Sequence, residues 1–134
     1  MVKVYPSAVE YLFGPLIGLA DEGFELDARL RPRMPSEIAV KKIYETELKG
    51  YYATLDPCIN AATKLSLRYV LFKDGFNYRG EYNAMLLPFA CPDDPRNAYL
   101  WLWEVLFPNE TPTPIEAPCQ VVDRIDPARE ILGY

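Results

Sequence analysis

Apolar and polar residues run along this chain in two rhythms, and the rhythms predict its elements. From Val9, apolar side chains fall at Leu12, Phe13, Leu16, Ile17 and Ala20, the spacing of one helix face. Ser7 and Glu10 form a capping box ahead of that helix, and Gly14-Pro15 predicts a kink or two short helices ending at Gly23. Phe24 to Arg31 alternate strictly, which predicts a half-buried strand closed by Pro32 and Pro35. Ser36 caps a longer helix to about Leu55, on the stripe Val40, Ile43, Tyr44, Leu48, Tyr51 and Tyr52. Asp56-Pro57 predicts a turn of helix over residues 56–63. Leu65, Leu67, Tyr69 and Leu71 then alternate, predicting a strand from Lys64 to Lys73. Asp74-Gly75 reads as a two-residue hairpin turn, with a return strand from Phe76 to about Leu87. Asp94-Pro95 opens a helix on Tyr99, Leu102, Trp103 and Leu106, which Pro108 stops. Four prolines, Pro108, Pro112, Pro114 and Pro118, make residues 108–118 a stiff extended segment. A strand from Cys119 to Ile125 and a last helical turn from Ala128 to Leu132, stopped by Gly133, complete the chain.

The order that emerges is α, β, α, β, β, α, β, α. Without its two end helices it is the βαββαβ order of the ferredoxin-like architecture. The expected fold is thus a single α+β domain over residues 1–134. It has an antiparallel sheet with helices on one face, flanked by an N-terminal helix and a short C-terminal one. Right-handed crossovers place both inner helices on the same side and leave the other sheet face open.

Composition narrows the chemistry. The chain has no histidine, so a Ser–His–Asp or Cys–His triad and a Cys/His zinc site are excluded within it. Cys58, Cys91 and Cys119 each adjoin a proline and form no C-x-x-C pair, which fits neither a disulfide framework nor a metal site. No glycine-rich phosphate loop occurs, and no cofactor is expected. The 14 basic residues against 19 acidic ones leave a net charge of −5, with no basic stripe for nucleic acid or anionic lipid. No window approaches the ~18 apolar residues of a membrane span. Met1 to Pro6 lack the apolar core of a signal peptide, so the expected location is cytoplasmic.

Few residues stand out as candidate sites. Arg29, Arg31 and Arg33, spaced by two, would share one side of a strand, as an anion clamp or a solvated face. Tyr78 and Tyr82 would share a face of the return strand with Phe76, as a base-stacking platform or as core. Trp101 and Trp103 point about 200° apart on one helix. If Trp103 is buried, Trp101 is left as an interface anchor or lies under the proline-rich segment. That segment, with Pro112 and Pro114, is either a crossover strapped to its own domain or an arm laid on a neighbour. The acidic pairs Asp21-Glu22 and Asp93-Asp94 sit at helix ends, where such residues are routine caps.

These features favour a non-catalytic protein–protein interaction module over an enzyme. Such a module is a subunit of an assembly, viral or accessory in kind, or a protein that binds and blocks another; its partner is another protein or a second copy. The alternative is a small-anion or nucleic-acid-processing domain built on the arginine row.

Overall fold

A computed structural model describes residues 1–19, 36–123 and 126–133. A short strand, β1 (Val2–Val4), leads into a 3₁₀ helix over Pro6–Leu16. Then come α1 (Glu37–Glu47), α2 (Lys49–Thr54), α3 (Pro57–Leu71), α4 (Tyr78–Ala84), α5 (Arg96–Leu106), β2 (Cys119–Val121) and α6 (Pro127–Leu132). The two strands pair in parallel, with Val2 opposite Cys119, Lys3 opposite Gln120 and Val4 opposite Val121.

The ferredoxin-like expectation is therefore corrected. Among the described residues the protein is mainly helical, and its sheet is one parallel pair of three-residue strands, not an antiparallel sheet with an open face. The expected strand from Lys64 to Lys73 is the C-terminal part of α3. The expected return strand from Phe76 to Leu87 contains α4. The turn at Asp74-Gly75 is present, and Gly75 takes φ +76°, but it joins two helices. The strand expected at Phe24–Arg31 lies outside the described residues.

The sequence of α3 explains its misreading. Its buried residues are Ile59, Thr63, Ser66, Leu67, Val70 and Leu71, a helical stripe interrupted by two hydroxyls. Those hydroxyls are satisfied inside the helix: Thr63 Oγ1 donates to the Ile59 carbonyl and Ser66 Oγ to that of Ala62, both at 2.7 Å. Ser66 Oγ also accepts from the Tyr5 amide at 2.9 Å, tying β1 to α3. Half-buried Leu65 and Tyr69 then add a second apolar flank, which imitates strand alternation.

Side-chain caps set the starts of α1, α3 and α4. Ser36 Oγ accepts from the Ala39 amide at 3.2 Å, and an Asp56 carboxylate oxygen from that of Cys58 at 2.8 Å. Asn77 caps α4 through the Gly80 amide. At α5 the cap position is Pro95, not the expected Asp94, whose carboxylate accepts from the Arg96 amide at 3.1 Å from one residue before the cap. The long helix expected to Leu55 is broken at Leu48 into α1 and α2. The N-terminal helix starts at Pro6 with Tyr5 at its cap, so the expected cap residue Ser7 lies inside the helix. It winds as a 3₁₀ helix and contains Pro15, which has no N–H to give. Val9, Leu12, Phe13 and Leu16 are buried from it.

The core gathers around α5, which is packed by α1, α2, α3 and α4. Ala98, Tyr99, Trp101, Leu102, Trp103, Val105 and Leu106 of α5 are all buried. The 3₁₀ helix and α6 pack on α3. Aromatic rings knit the centre: Phe13 meets Tyr44 and Tyr99 edge-on, at centroid distances of 5.9 and 5.7 Å. Among the described residues, no helix is long and apolar enough to cross a membrane.

Candidate interaction surface

The proline-rich segment follows α5 directly. The Glu110 amide donates to the Phe107 carbonyl at 3.0 Å, a tight turn that reverses the chain. From there residues 110–116 run without regular secondary structure over α3 and α5, as a strap. Three side chains hold it. Trp103 Nε1 donates to the Glu110 carbonyl at 2.8 Å. Lys64 Nζ reaches both Glu110 carboxylate oxygens, at 2.9 and 2.8 Å. Arg68 Nε donates to the Thr113 carbonyl at 2.6 Å, and its Nη2 to Thr113 Oγ1 and the Pro114 carbonyl, both at 3.1 Å.

The helices position these groups. Lys64 and Arg68 are four apart on α3 and so share one face. Trp103 is four residues before Phe107, and their rings lie 4.6 Å apart at the end of α5. Lys64 Nζ sits 4.5 Å from the Phe107 ring centroid and 5.8 Å from that of Trp103. The ammonium thus has an aromatic floor and an anionic lid.

The strap forms a ridge between two grooves. One, of about 390 Å³, is lined by Lys64, Leu65, Arg68, Trp103 and Thr113 among others. The other, of about 700 Å³, is lined by Lys41, Phe72, Arg96, Leu100, Phe107 and Pro112 among others. Glu110 and Thr111 line both. The cations of the larger groove are engaged: Lys41 pairs with Glu37 at 3.5 Å and Glu104 at 3.3 Å. Arg96 Nε donates to the Leu71 carbonyl at 2.9 Å, with its guanidinium 5.6 Å from the Phe72 ring centroid.

Burial is the main cause raising the hydroxyls of Tyr44, Tyr82 and Tyr99 well above the ordinary tyrosine range. Tyr44 Oη donates to the Ala98 carbonyl and Tyr82 Oη to that of Phe89, at 2.9 and 2.8 Å. Burial likewise raises the Cys91 thiol, with Arg79 opposing it, so that thiol stays protonated at neutral pH. Among the described residues, no group of three or more Cys, Asp or Glu side chains is placed to hold a metal ion.

The expected site residues fall in separate places. Arg29, Arg31 and Arg33 lie outside the described residues. Tyr78 and Tyr82 are on α4, not on a strand. Tyr78 is half-buried, donates to the Val70 carbonyl and packs 4.9 Å from the Phe76 ring. Trp101 is 8% exposed and Trp103 3%. It is Trp103 that meets the strap. Pro112 is half-buried against the larger groove, and Pro114 is exposed. Sequence reasoning missed Lys64, Arg68, Phe107 and Glu110. The four-residue spacing of Lys64 and Arg68 was the available signal, and reading that stretch as a strand concealed it.

Comparison with protein-family models, with curated proteins and with solved structures finds no match to this chain.

Proposed function

We propose that this protein is a non-catalytic interaction module, a subunit of an assembly or a protein that binds and blocks another, working in the cytoplasm. Its recognition surface is the strap ridge with the two grooves beside it. One observation carries the reading: a segment without regular secondary structure is held by Lys64, Arg68 and Trp103 while most of its side chains stay exposed. An extended segment already fixed in shape loses little conformational entropy when a partner docks on it. The net charge of −5 favours a protein partner over nucleic acid. The arginine-row alternative rests on residues 29, 31 and 33, and nothing among the described residues favours it.

The test is cross-linking capture from the cell of origin with wild type and two variants. Leu100→Arg alters the larger groove, whereas Ile38→Arg alters an 83% exposed position on α1. The expected result is a partner retained by wild type and Ile38→Arg and lost by Leu100→Arg. A partner held equally by all three, or none held by any, would overturn the reading.

A further inference from the structure

A second concave site lies away from the strap, where the 3₁₀ helix, α4 and the end of β2 come together. Its inner end, of about 50 Å³, is walled by Val9, Phe76, Met85 and Tyr99, with the exposed Glu10 and Glu81 at its rim. Phe76 and Glu81 also line an adjoining groove of about 210 Å³, to which β2 brings Val121, 50% exposed, and the following turn brings Asp123. The Asn77 cap holds Glu81 in the first turn of α4. Among the described residues, no lysine or arginine pairs with Glu10, Glu81 or Asp123. Tyr99 adds an independent observation. It is 2% exposed, yet burial and neighbouring charges, Glu81 first, act on its hydroxyl without any hydrogen bond. The buried Tyr44 and Tyr82 hydroxyls, by contrast, each donate to a carbonyl, as buried phenols ordinarily do.

The lining selects the kind of cation. A metal ion needs oxygens converging on one point, and among the described residues no three acidic or thiol side chains are so placed. Here negative charge is spread along an apolar trough instead. An ammonium group carries three donors and no acceptor, so one such group can serve two carboxylates and a phenol oxygen together, and it is attracted to aromatic rings. A water needs about 10–15 Å³ of such space, so the inner end admits a group of that size. We propose that this cleft binds a linear aliphatic diamine: one ammonium sits among Glu10, Glu81 and the Tyr99 hydroxyl, the methylene chain lies on Phe76 and Val121, and the second ammonium meets Asp123. The cleft shares no lining residue with the grooves beside the strap, so the proposal goes beyond the interaction-module reading and stands apart from it.

Titration calorimetry at constant ionic strength tests it, with 1,4-diaminobutane as the diamine, butylamine as the single-charge probe and N-acetyl-lysine amide as a lysine side chain. Saturable one-to-one binding of the diamine is expected, about tenfold tighter than that of either single-charge probe. Glu81→Gln is expected to weaken the diamine about tenfold and Tyr99→Phe about fivefold. Asp123→Asn is expected to bring the diamine down to the affinity of butylamine. Glu45→Gln, at an exposed position on α1 outside the cleft, is expected to keep wild-type affinity. Asp123 is exposed, so its substitution spares the core and decides the case if Tyr99→Phe lowers stability. Binding that is alike in all variants would be the response of a chain of net charge −5 without a site, and it overturns the proposal. Equal affinity for diamine and butylamine overturns it, as does no binding by wild type at millimolar diamine. Tighter binding of the lysine amide than of the diamine also overturns it and assigns the cleft to a lysine of another protein.

Discussion

The indole of Trp103 and the carbonyl of Glu110 are joined by a hydrogen bond of 2.8 Å that ties the central helix to the strap. Trp103 is 3% exposed, so its N–H has little access to water and the strap supplies its acceptor. The bond places Glu110 against Lys64, and the chain beyond it then runs along Arg68. Trp103→Phe keeps an aromatic ring and removes the donor. Stability in urea is expected to fall by about 1 kcal/mol. Limited proteolysis within residues 108–118 is expected to quicken, because the strap loses one of its three holds.

Gly14 and Tyr51 define a close approach. A Cβ on Gly14 would lie 2.6 Å from the Tyr51 hydroxyl oxygen and 2.9 Å from Cζ. Gly14→Ala is expected to destabilise by about 1–3 kcal/mol, the usual range for overpacking. Adding Tyr51→Ala is expected to recover part of that loss. The coupling is read from a double-mutant cycle of denaturation midpoints, and additive losses would disprove the contact.

The buried tyrosines set an alkaline limit. Their folded-state pKa values are raised above the unfolded value of about 10. The neutral hydroxyl is therefore favoured by the fold, and the full contribution is present below pH 10. Above it the unfolded chain releases protons that the folded chain keeps, so stability falls as pH rises toward the folded pKa values. The slope is about 1.4 kcal/mol per pH unit for each such tyrosine. Melting temperatures between pH 8 and 11.5 are expected to be level to about pH 10 and then drop. Absorbance of tyrosinate from Tyr44, Tyr82 and Tyr99 is expected to appear only with unfolding.

Leu102 is fully buried in the middle of α5. Leu102→Ala is expected to cost about 2–5 kcal/mol, because neighbours on several sides cannot all close the cavity. Chemical denaturation measures it directly. Lys41→Ala is expected to lie below about 1 kcal/mol, since its ion pairs to Glu37 and Glu104 are partly exposed.

Local chemistry was legible along the chain. Ser36 and Asp56 each mark a helix start, because a cap acts within a turn of backbone. The turn at Asp74-Gly75 was legible too, since Gly75 needs its positive φ whatever it joins. The elements it joins were not. Alternating Leu65, Leu67, Tyr69 and Leu71 fits a strand, and it fits equally a helix wedged between neighbours on two flanks. Which applies depends on the 3₁₀ helix, α5 and α6 packing against α3.

The two tryptophans mark the same division. Their opposite projection follows from helix geometry alone, and the stiffness of residues 108–118 follows from their four prolines. That both rings are buried, and that Trp103 and not Trp101 holds the strap, follows from α5 being surrounded. Caps, turns and proline stiffness are short-range and were set by the residues themselves. The sides of each helix that are covered, and the place where the strap lies, were decided by long-range burial, which only the assembled fold defines.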